Sequence, residues 1–478
     1  MKIFGFWLND VVFAIGGTFL VGIAVANMGF AFAALFWWTI VIATGVFLLF
    51  QHVGLWKLLV AAVLLFLLGI FYFQFFENAV TAETHLIFDK KINFSATVID
   101  EPAPSEKFLI VSAEAEPPFA GRFTILAPPT SVIGYGDELK LYGKISPPKM
   151  LGDDSLAYMP QIEITSHHRA SWIREKLINL KNAALRIFEW SLPRDEAGLL
   201  GGIAFGSKVD LSADLKRALS ASGTTHLIAV SGYNITIVLY AVERALGGFI
   251  MRRKMLAAAL GLVILFVLMT GIQPSAVRAA IMGFILVFAG EMGGGMNLDT
   301  RNALVLTAVA MTLFDPTLPV RNLGFQLSFL SLAGIVYLET PLKQLFRIKD
   351  DGAFGWKVSA ITTLAAQLAV WPILSAAFGG SSATSIFANV MVLGTVPVTM
   401  FFGFILAAAG FVSQYLAFGL AAIIHLLLAY QISAIKFWGG LAVPLRFPLS
   451  AWIIAPLYYL CLLWLVAAMR SKEKMIKT

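Results

Sequence analysis

Residues Trp56–Phe76 read WKLLVAAVLLFLLGIFYFQFF, and shortly afterwards Ile92–Asp100 read INFSATVID. The first stretch is one apolar run with a single lysine near its start, as long as the roughly 20 residues a helix needs to cross a bilayer. The second alternates: Ile92, Phe94, Ala96 and Val98 share one face, the period of a half-buried strand. Working outward from this junction gives the fold class. Apolar segments at Val11–Ala26, Phe30–Phe50 and Trp56–Phe76 come first. Residues 77–168 follow as a polar, Pro- and Gly-rich domain. KFLIVSAE, GRFTILAP, DELKLYGKI and QIEITS complete five strand-like stretches separated by turn signals, the pattern of a small OB-like barrel.

Beyond the barrel, residues 169–197 predict an amphipathic interfacial helix. Trp172, Ile173, Leu177, Leu180, Ala184, Ile187 and Phe188 form its apolar stripe, and Arg174, Lys176, Lys181 and Arg186 snorkel from it. Residues 198–470 then hold nine further apolar segments: His226–Ile250, Leu256–Gly271, Ala276–Gly290, Ala303–Phe314, Leu323–Leu338, Val358–Phe378, Ser385–Gly410, Tyr415–Trp438 and Ala451–Met469. Residues 471–478 are a basic cytoplasmic tail. The expectation is a polytopic α-helical membrane protein of about 12 spans with an inserted extracytoplasmic OB-like β-barrel. Gly198–Gly206 is too short to span and suggests a re-entrant or broken helix.

Composition agrees. Of 478 residues, 59% are apolar and 13% charged, against about half and about a quarter in soluble domains. A soluble single-core enzyme is excluded. The net charge of +7 is accounted for by lysines and arginines between spans. With the N-terminus inside, Lys2, Lys57, Arg252–Lys254, Lys343, Arg347, Lys349, Lys357, Arg470, Lys472, Lys474 and Lys477 fall on the inner side. The short outer loops hold only Arg321 and Arg446. That asymmetry places both termini in the cytoplasm and the barrel outside the cell membrane. The single cysteine, Cys461, allows no intramolecular disulfide and no cysteine zinc site.

The densest polar cluster is Leu199–Val238, with Thr225 and His226 at the mouth of an apolar helix and Ser231, Gly232, Tyr233 and Asn234 inside it. Polar side chains in a span face the bundle interior and mark a helix contact or a pathway. Ser231 and Asn234, three residues apart, share a face. Other chemistries fit poorly. Gly201 and Gly206 have phosphate-loop spacing, but Ser207-Lys208 stands where Lys-Ser/Thr is needed and no strand precedes it. AVSG (Ala229–Gly232) resembles a serine nucleophile site, yet His226 lies too near in sequence, and His425 is the lone histidine of a later span, more often a packing residue. Glu163, His167 and His168 make a poor metal set, because adjacent histidines on an extended chain point opposite ways. No catalytic residue, metal or cofactor is expected. Arg278 sits within a span, where a charge costs roughly 2.5–3.5 kcal/mol on insertion scales. It must be paired, with Glu243, Glu291 or Asp299 as candidates, or snorkel, or face water and passing phosphates.

Four segments together resemble the ComEC family, membrane proteins that carry transforming DNA into competent bacteria. GTTHLIAVSGYNITIV (Gly223–Val238) is similar to the family's G-x-x-H-L-x-A-x-S-G segment, and PSAVRAAIM (Pro274–Met282) to its P-S-x-x-R-A stretch. DPTLPVRNLGFQLSFLSLAGI (Asp315–Ile335) resembles its D-P…G-F-Q-L-S-F segment, and WPILSAAFGGSSATSIFANVMVLGTVP (Trp371–Pro397) a later one built around Pro, Phe-Gly and Ala-Asn. The resemblance implies a channel for single-stranded DNA, with Ser231, Asn234, Arg278, Gln326 and Ser328 as lining candidates. Many family members carry a C-terminal metallo-β-lactamase-like domain. This sequence stops about nine residues after its last apolar segment, so the nuclease activity is not carried over, and a separate nuclease and a separate cytoplasmic motor are the expected partners. A homodimer is compatible but no motif demands it. Two other readings stand beside the channel: a transporter of a small solute or envelope precursor, and a structural membrane subunit of a DNA-uptake assembly. From Glu77 to Ser166 there are 13 acidic and 7 basic residues, which predicts weak or transient DNA contact by the barrel. Phe94, Phe108, Phe123, Tyr135, Tyr142 and Tyr158 are its available stacking rings or, equally, its core.

Overall fold

A computed structural model describes residues 2–3, 6–27, 54–105, 107–148, 155–167, 171–207, 211–228, 230, 232, 234–235, 237, 252–291, 299–348, 356–378, 381–382, 384–442, 444–445, 457–462 and 464–466. The expected segment Phe30–Phe50, most of His226–Ile250 and the tail 471–478 lie outside them, as does Ser231. The helices are α1 (Leu8–Asn27), α2 (Gly54–Glu83), α3 (Trp172–Ser191), α4 (Arg194–Phe205), α5 (Ala213–Ala221), α6 (Arg252–Met269) and α7 (Pro274–Glu291). They continue with α8 (Thr300–Phe314), α9 (Leu323–Leu345), α10 (Trp356–Phe378), α11 (Ser385–Leu393), α12 (Val396–Val412) and α13 (Gln414–Gly440). The chain divides into two compact units. The first is 1–180, 264–272 and 281–326, and the second is 181–263, 273–280 and 327–478.

In the first unit the apolar run Trp56–Phe76 is realised as α2, 30 residues long. At 1.5 Å per residue it reaches about 45 Å, ample for a hydrocarbon core of about 30 Å. Helices α1 and α2 meet through small residues. A Cβ on Gly22 would stand 2.1 Å from the Phe66 carbonyl oxygen, and one on Gly69 would stand 2.4 Å from that of Phe19. Such close backbone approach is how helices associate where lipid leaves no hydrophobic drive between them. Phe19, Ile23 and Phe73 fill the seam, and the Tyr72 hydroxyl donates to the Leu313 carbonyl at the end of α8 (2.5 Å).

Among the described residues the barrel sheet has seven strands: β1 (Lys91–Val98), β2 (Ala103–Pro104), β3 (Leu109–Ala115), β4 (Arg122–Ala127), β5 (Glu138–Ser146), β6 (Ser155–Tyr158) and β7 (Gln161–Ser166). Five of them close in the order β1-β3-β4-β6-β5-β1, with β4 and β6 parallel and the other pairs antiparallel. This order and its one parallel pair are those of an OB barrel. The alternation in INFSATVID holds: Phe94, Ala96 and Val98 are buried, with Ile92 packed against the same core. One strand assignment changes. QIEITS is β7, an added strand pairing with β5, and the fifth barrel place belongs to the four-residue β6. The aromatic rings divide between core and surface. Phe94 and Phe123 are buried and meet edge-on at 5.5 Å, whereas Tyr142 and Tyr158 are exposed.

Helix α3 departs from its expected stripe. In its first half Trp172, Ile173 and Leu180 are exposed. Arg174 does not snorkel there. Its Nη1 donates to the Ile99 carbonyl (2.9 Å), its Nη2 to Asp100 (2.5 Å), and it lies 4.8 Å over the Tyr135 ring. Non-local partners on the barrel outbid solvent. In the second half Ile187 and Phe188 are buried, and so is Lys181, which sequence periodicity had placed at the surface.

In the second unit α4, α5, α12 and α13 pack together. Helix α4 spans 12 residues, about 18 Å, so it is too short to cross a membrane, as Gly198–Gly206 foretold. The expected single segment Ser385–Gly410 is two helices, α11 and α12, bent by 47°. Pro397 accounts for the break, since it stands in the first turn of α12, where it lacks the N–H that would continue α11.

Among the described residues four helices are long and apolar enough to cross a membrane: Val60–Thr81, Leu323–Leu345, Trp356–Ala377 and Gln414–Gly440. The bent pair makes a fifth if counted as one span. Shorter apolar helices lie at Val11–Asn27, Lys254–Met269, Pro274–Ile285, Thr300–Phe314 and Leu457–Val466. The molecule is a multi-span helical membrane protein with an OB-type barrel.

Candidate functional site

The polar residues of the helical region are held by contacts between segments far apart in sequence. The first segment begins at Gly223, whose φ of +70° is a left-handed conformation that glycine adopts without strain. A Cβ there would also stand 2.6 Å from that of Ser385. Ser385 in turn accepts a hydrogen bond from Gln367 (2.5 Å) and donates to the Ser382 carbonyl (2.6 Å). The start of the first segment is therefore seated on the fourth. Thr225 and His226 follow on a short 3-10 turn with both side chains exposed, a position compatible with a mouth and one that ties neither to the residues deeper in.

At Val230 the backbone is gripped from both sides. Its N–H donates to Gln273 Oε1 (3.2 Å) and its carbonyl accepts from the Ser275 hydroxyl. These two side chains flank Pro274 at the start of α7. Four residues into that helix comes Arg278. A Cβ on Gly232 would stand 3.0 Å from Arg278 Nη2 and 3.2 Å from the Ala279 Cβ, so glycine lets the first segment lie this close to α7 without either neighbour giving way. Arg278 Nε donates to Ser328 Oγ (2.7 Å) on α9, and its guanidinium carbon is 6.0 Å from the Phe329 ring centre.

Of the expected carboxylate partners, Asp299 caps α8 and pairs with Arg301 (2.5 Å), while Glu243 and the Glu291 side chain lie outside the described residues. Among the described residues no carboxylate pairs with Arg278. A guanidinium carries five N–H donors, and the Ser328 bond uses the one at Nε. The terminal nitrogens remain able to meet an anion in the bidentate fashion that suits phosphate.

The structure brings Arg278, Ser328 and Gly232 together. It places Asn234 differently: this buried amide donates from Nδ2 to the Ile203 carbonyl near the end of α4 (2.8 Å). Gln326 is committed elsewhere, donating to the Pro319 and Val320 carbonyls (3.0 and 2.6 Å) of a helical turn in the first unit. Ser231 lies outside the described residues. The contributions of Gln273 and Ser275 were not foreseen. A side chain that bonds to backbone over forty residues away leaves no periodic signal, and only the polar Gln-Pro-Ser start of an apolar helix hinted at it. On the barrel, His167 Nδ1 meets Asp137 Oδ1 at 2.6 Å.

Fold and site together define a multi-span membrane protein with an OB-type barrel and an arginine held inside its helical region. The description "Competence protein" matches residues 203–472, more than half of the chain, and the protein belongs to this ComEC family of competence proteins. It is 28% identical over 228 residues to ComE operon protein 3 of Bacillus subtilis (strain 168), an alignment covering 46% of this chain and 27% of that protein. The match thus spans about a quarter of the relative's length. No solved structure matches the chain.

Proposed function

We propose that the protein is an integral channel that passes single-stranded transforming DNA across the cytoplasmic membrane during natural competence, without covalent chemistry of its own. Its spans number about twelve, both termini are cytoplasmic and the barrel lies outside. The observation that carries the reading is Arg278. Segments with the family's motifs lock together around it, Gly232 leaves room for it, and Ser328 fixes its orientation while leaving donors for a phosphodiester. Asn234 ties the same segment to α4 and keeps it in register, and Ser231, the neighbour of Gly232 in sequence, is assigned to the path on that sequence position alone. A single strand carries one phosphate per nucleotide, and guanidinium groups neutralise phosphates independently of base sequence. The driving energy comes from a partner motor or an ion gradient.

The test is replacement of Arg278 in the intact gene. Arg278→Ala should lower nuclease-protected internal DNA by about ten- to a hundredfold, the worth of one hydrogen bond to a charged group. Surface-bound DNA and protein level should stay unchanged, and Arg278→Lys should recover only part, because it keeps charge without the fork. Full import by Arg278→Ala overturns the reading and moves a small-solute transporter to the front.

A further inference from the structure

A buried carboxylate in the helical unit, apart from Arg278, is paired with a histidine. His425 stands eleven residues into α13, near the middle of that 27-residue apolar helix. Its Nδ1 is 2.8 Å from Glu196 Oε2 on α4. The Glu196 side chain is 8% exposed and that of His425 49%, so the pair is closed on the carboxylate side and open on the imidazole side. Ionisable groups inside a membrane-spanning helix are costly and mark proton or ion pathways.

We infer that Glu196 and His425 form an intramembrane proton-binding pair that couples import to the proton gradient, an inference that rests on the channel reading for its cargo. Nδ1 is committed to Glu196, so the proton is exchanged at Nε2. With neutral imidazole donating its Nδ1–H to the carboxylate, the pair carries one negative charge. One proton from the outer side adds to Nε2 and gives a neutral ion pair, and its release inward restores the first state. No other atom changes hands. The two states differ by one unit charge in a low-dielectric setting, which biases how α4 packs on α13. Helix α4 also presents the Ile203 carbonyl to Asn234, so that bias reaches the segment beside Arg278.

The other ionisable groups on the packed elements are accounted for by element. On α4, Asp195 accepts from the Ser212 N–H and hydroxyl, and Arg194 is also engaged. On α5, Arg217 pairs with Asp214, and Lys216 stands exposed between them. Helix α13 adds Tyr415, Tyr430 and Lys436, α3 from Lys181 onward adds Lys181, Arg186 and Glu189, the 3-10 turn adds His226, and α11 and α12 add none.

The full chain in proteoliposomes, with a pH dye trapped inside and an inward gradient of about one pH unit, tests this. Two quantities are read after adding labelled single-stranded DNA: proton influx and nuclease-protected strand. Wild type should show strand-stimulated proton influx, and imposing the gradient should raise import by up to about tenfold, the step in proton occupancy that one unit allows. Glu196→Gln, which keeps a hydrogen-bonding side chain, and His425→Gln should both lose the proton influx and import at the no-gradient level. A thermal-unfolding midpoint in detergent within a few degrees of wild type shows that the fold survives. Proton influx unchanged in both folded variants overturns the pair, whatever the strand does. Import by wild type that ignores the gradient overturns the coupling and leaves the channel standing. No import by wild type overturns the channel, and the loss or persistence of proton influx in the variants still decides the pair.

Discussion

In the barrel, hydrogen bonds run along ladders between neighbouring strands, and the side chains that matter are apolar ones alternating into one core. In the helical unit, the bonds that hold the site run from polar side chains to partners 31, 45 and 50 residues away: Asn234 to Ile203, Ser275 to Val230 and Arg278 to Ser328. The difference follows from the solvent each region faces. A water-facing barrel gains stability by burying Phe and Ile. Lipid is as apolar as those side chains, so helices within it are fixed by close approach of small residues and by polar bonds. A barrel should therefore be sensitive to lost volume, and the helical unit to lost polar atoms.

The largest expected effect is in the barrel. Phe123→Ala removes a ring that is 1% exposed and should destabilise the barrel by roughly 3–5 kcal/mol. Hydrogen exchange on the full chain should show the loss confined to 91–166, with amides of α12 and α13 still protected. Loss spread equally over the helices would break the contrast. Next comes Asn234→Leu, which keeps the side chain's branched skeleton. It leaves the Ile203 carbonyl buried without this donor and should cost about 1–3 kcal/mol, read as a lower thermal-unfolding midpoint in detergent, with membrane insertion intact. No shift would mean that the polar tie is dispensable. The smallest effect is expected for Asp100→Asn, which removes only the charge of its partly exposed pair with Arg174, leaves that arginine its Ile99 and Tyr135 contacts, and should cost about 0.2–1 kcal/mol. Proteolytic nicking near Trp172 should rise slightly, and a large effect would show that the barrel also depends on polar ties.

The same physics explains what the sequence could tell. Periodicity two announces a strand locally, so the core face of Ile92–Val98 was readable. The four-residue β6 is too short to announce itself, and QIEITS, with the same alternation, took its place on paper. Uninterrupted apolar runs announced the long helices, and the bend near Pro397 within the single segment Ser385–Gly410 needed coordinates to see. Arg278 was legible because a charge in an apolar run is anomalous by itself. Its partner was not: three carboxylates were candidates, and the bond went to the Ser328 hydroxyl. Gln326 and Asn234 were marked as lining candidates, and both tie backbone carbonyls; whether such a group lines a path or ties backbone depends on non-local geometry. His425 looked like a packing residue because Glu196 lies 229 residues away.

The central claim, that this protein passes DNA, is tested most directly by following end-labelled DNA in cells with the gene deleted and with a replaced copy. The account predicts that deletion leaves surface-bound DNA in place, abolishes nuclease-protected internal DNA, and that the replaced copy restores it. Undiminished internal DNA in the deletion strain, with no second family member present, would contradict the account.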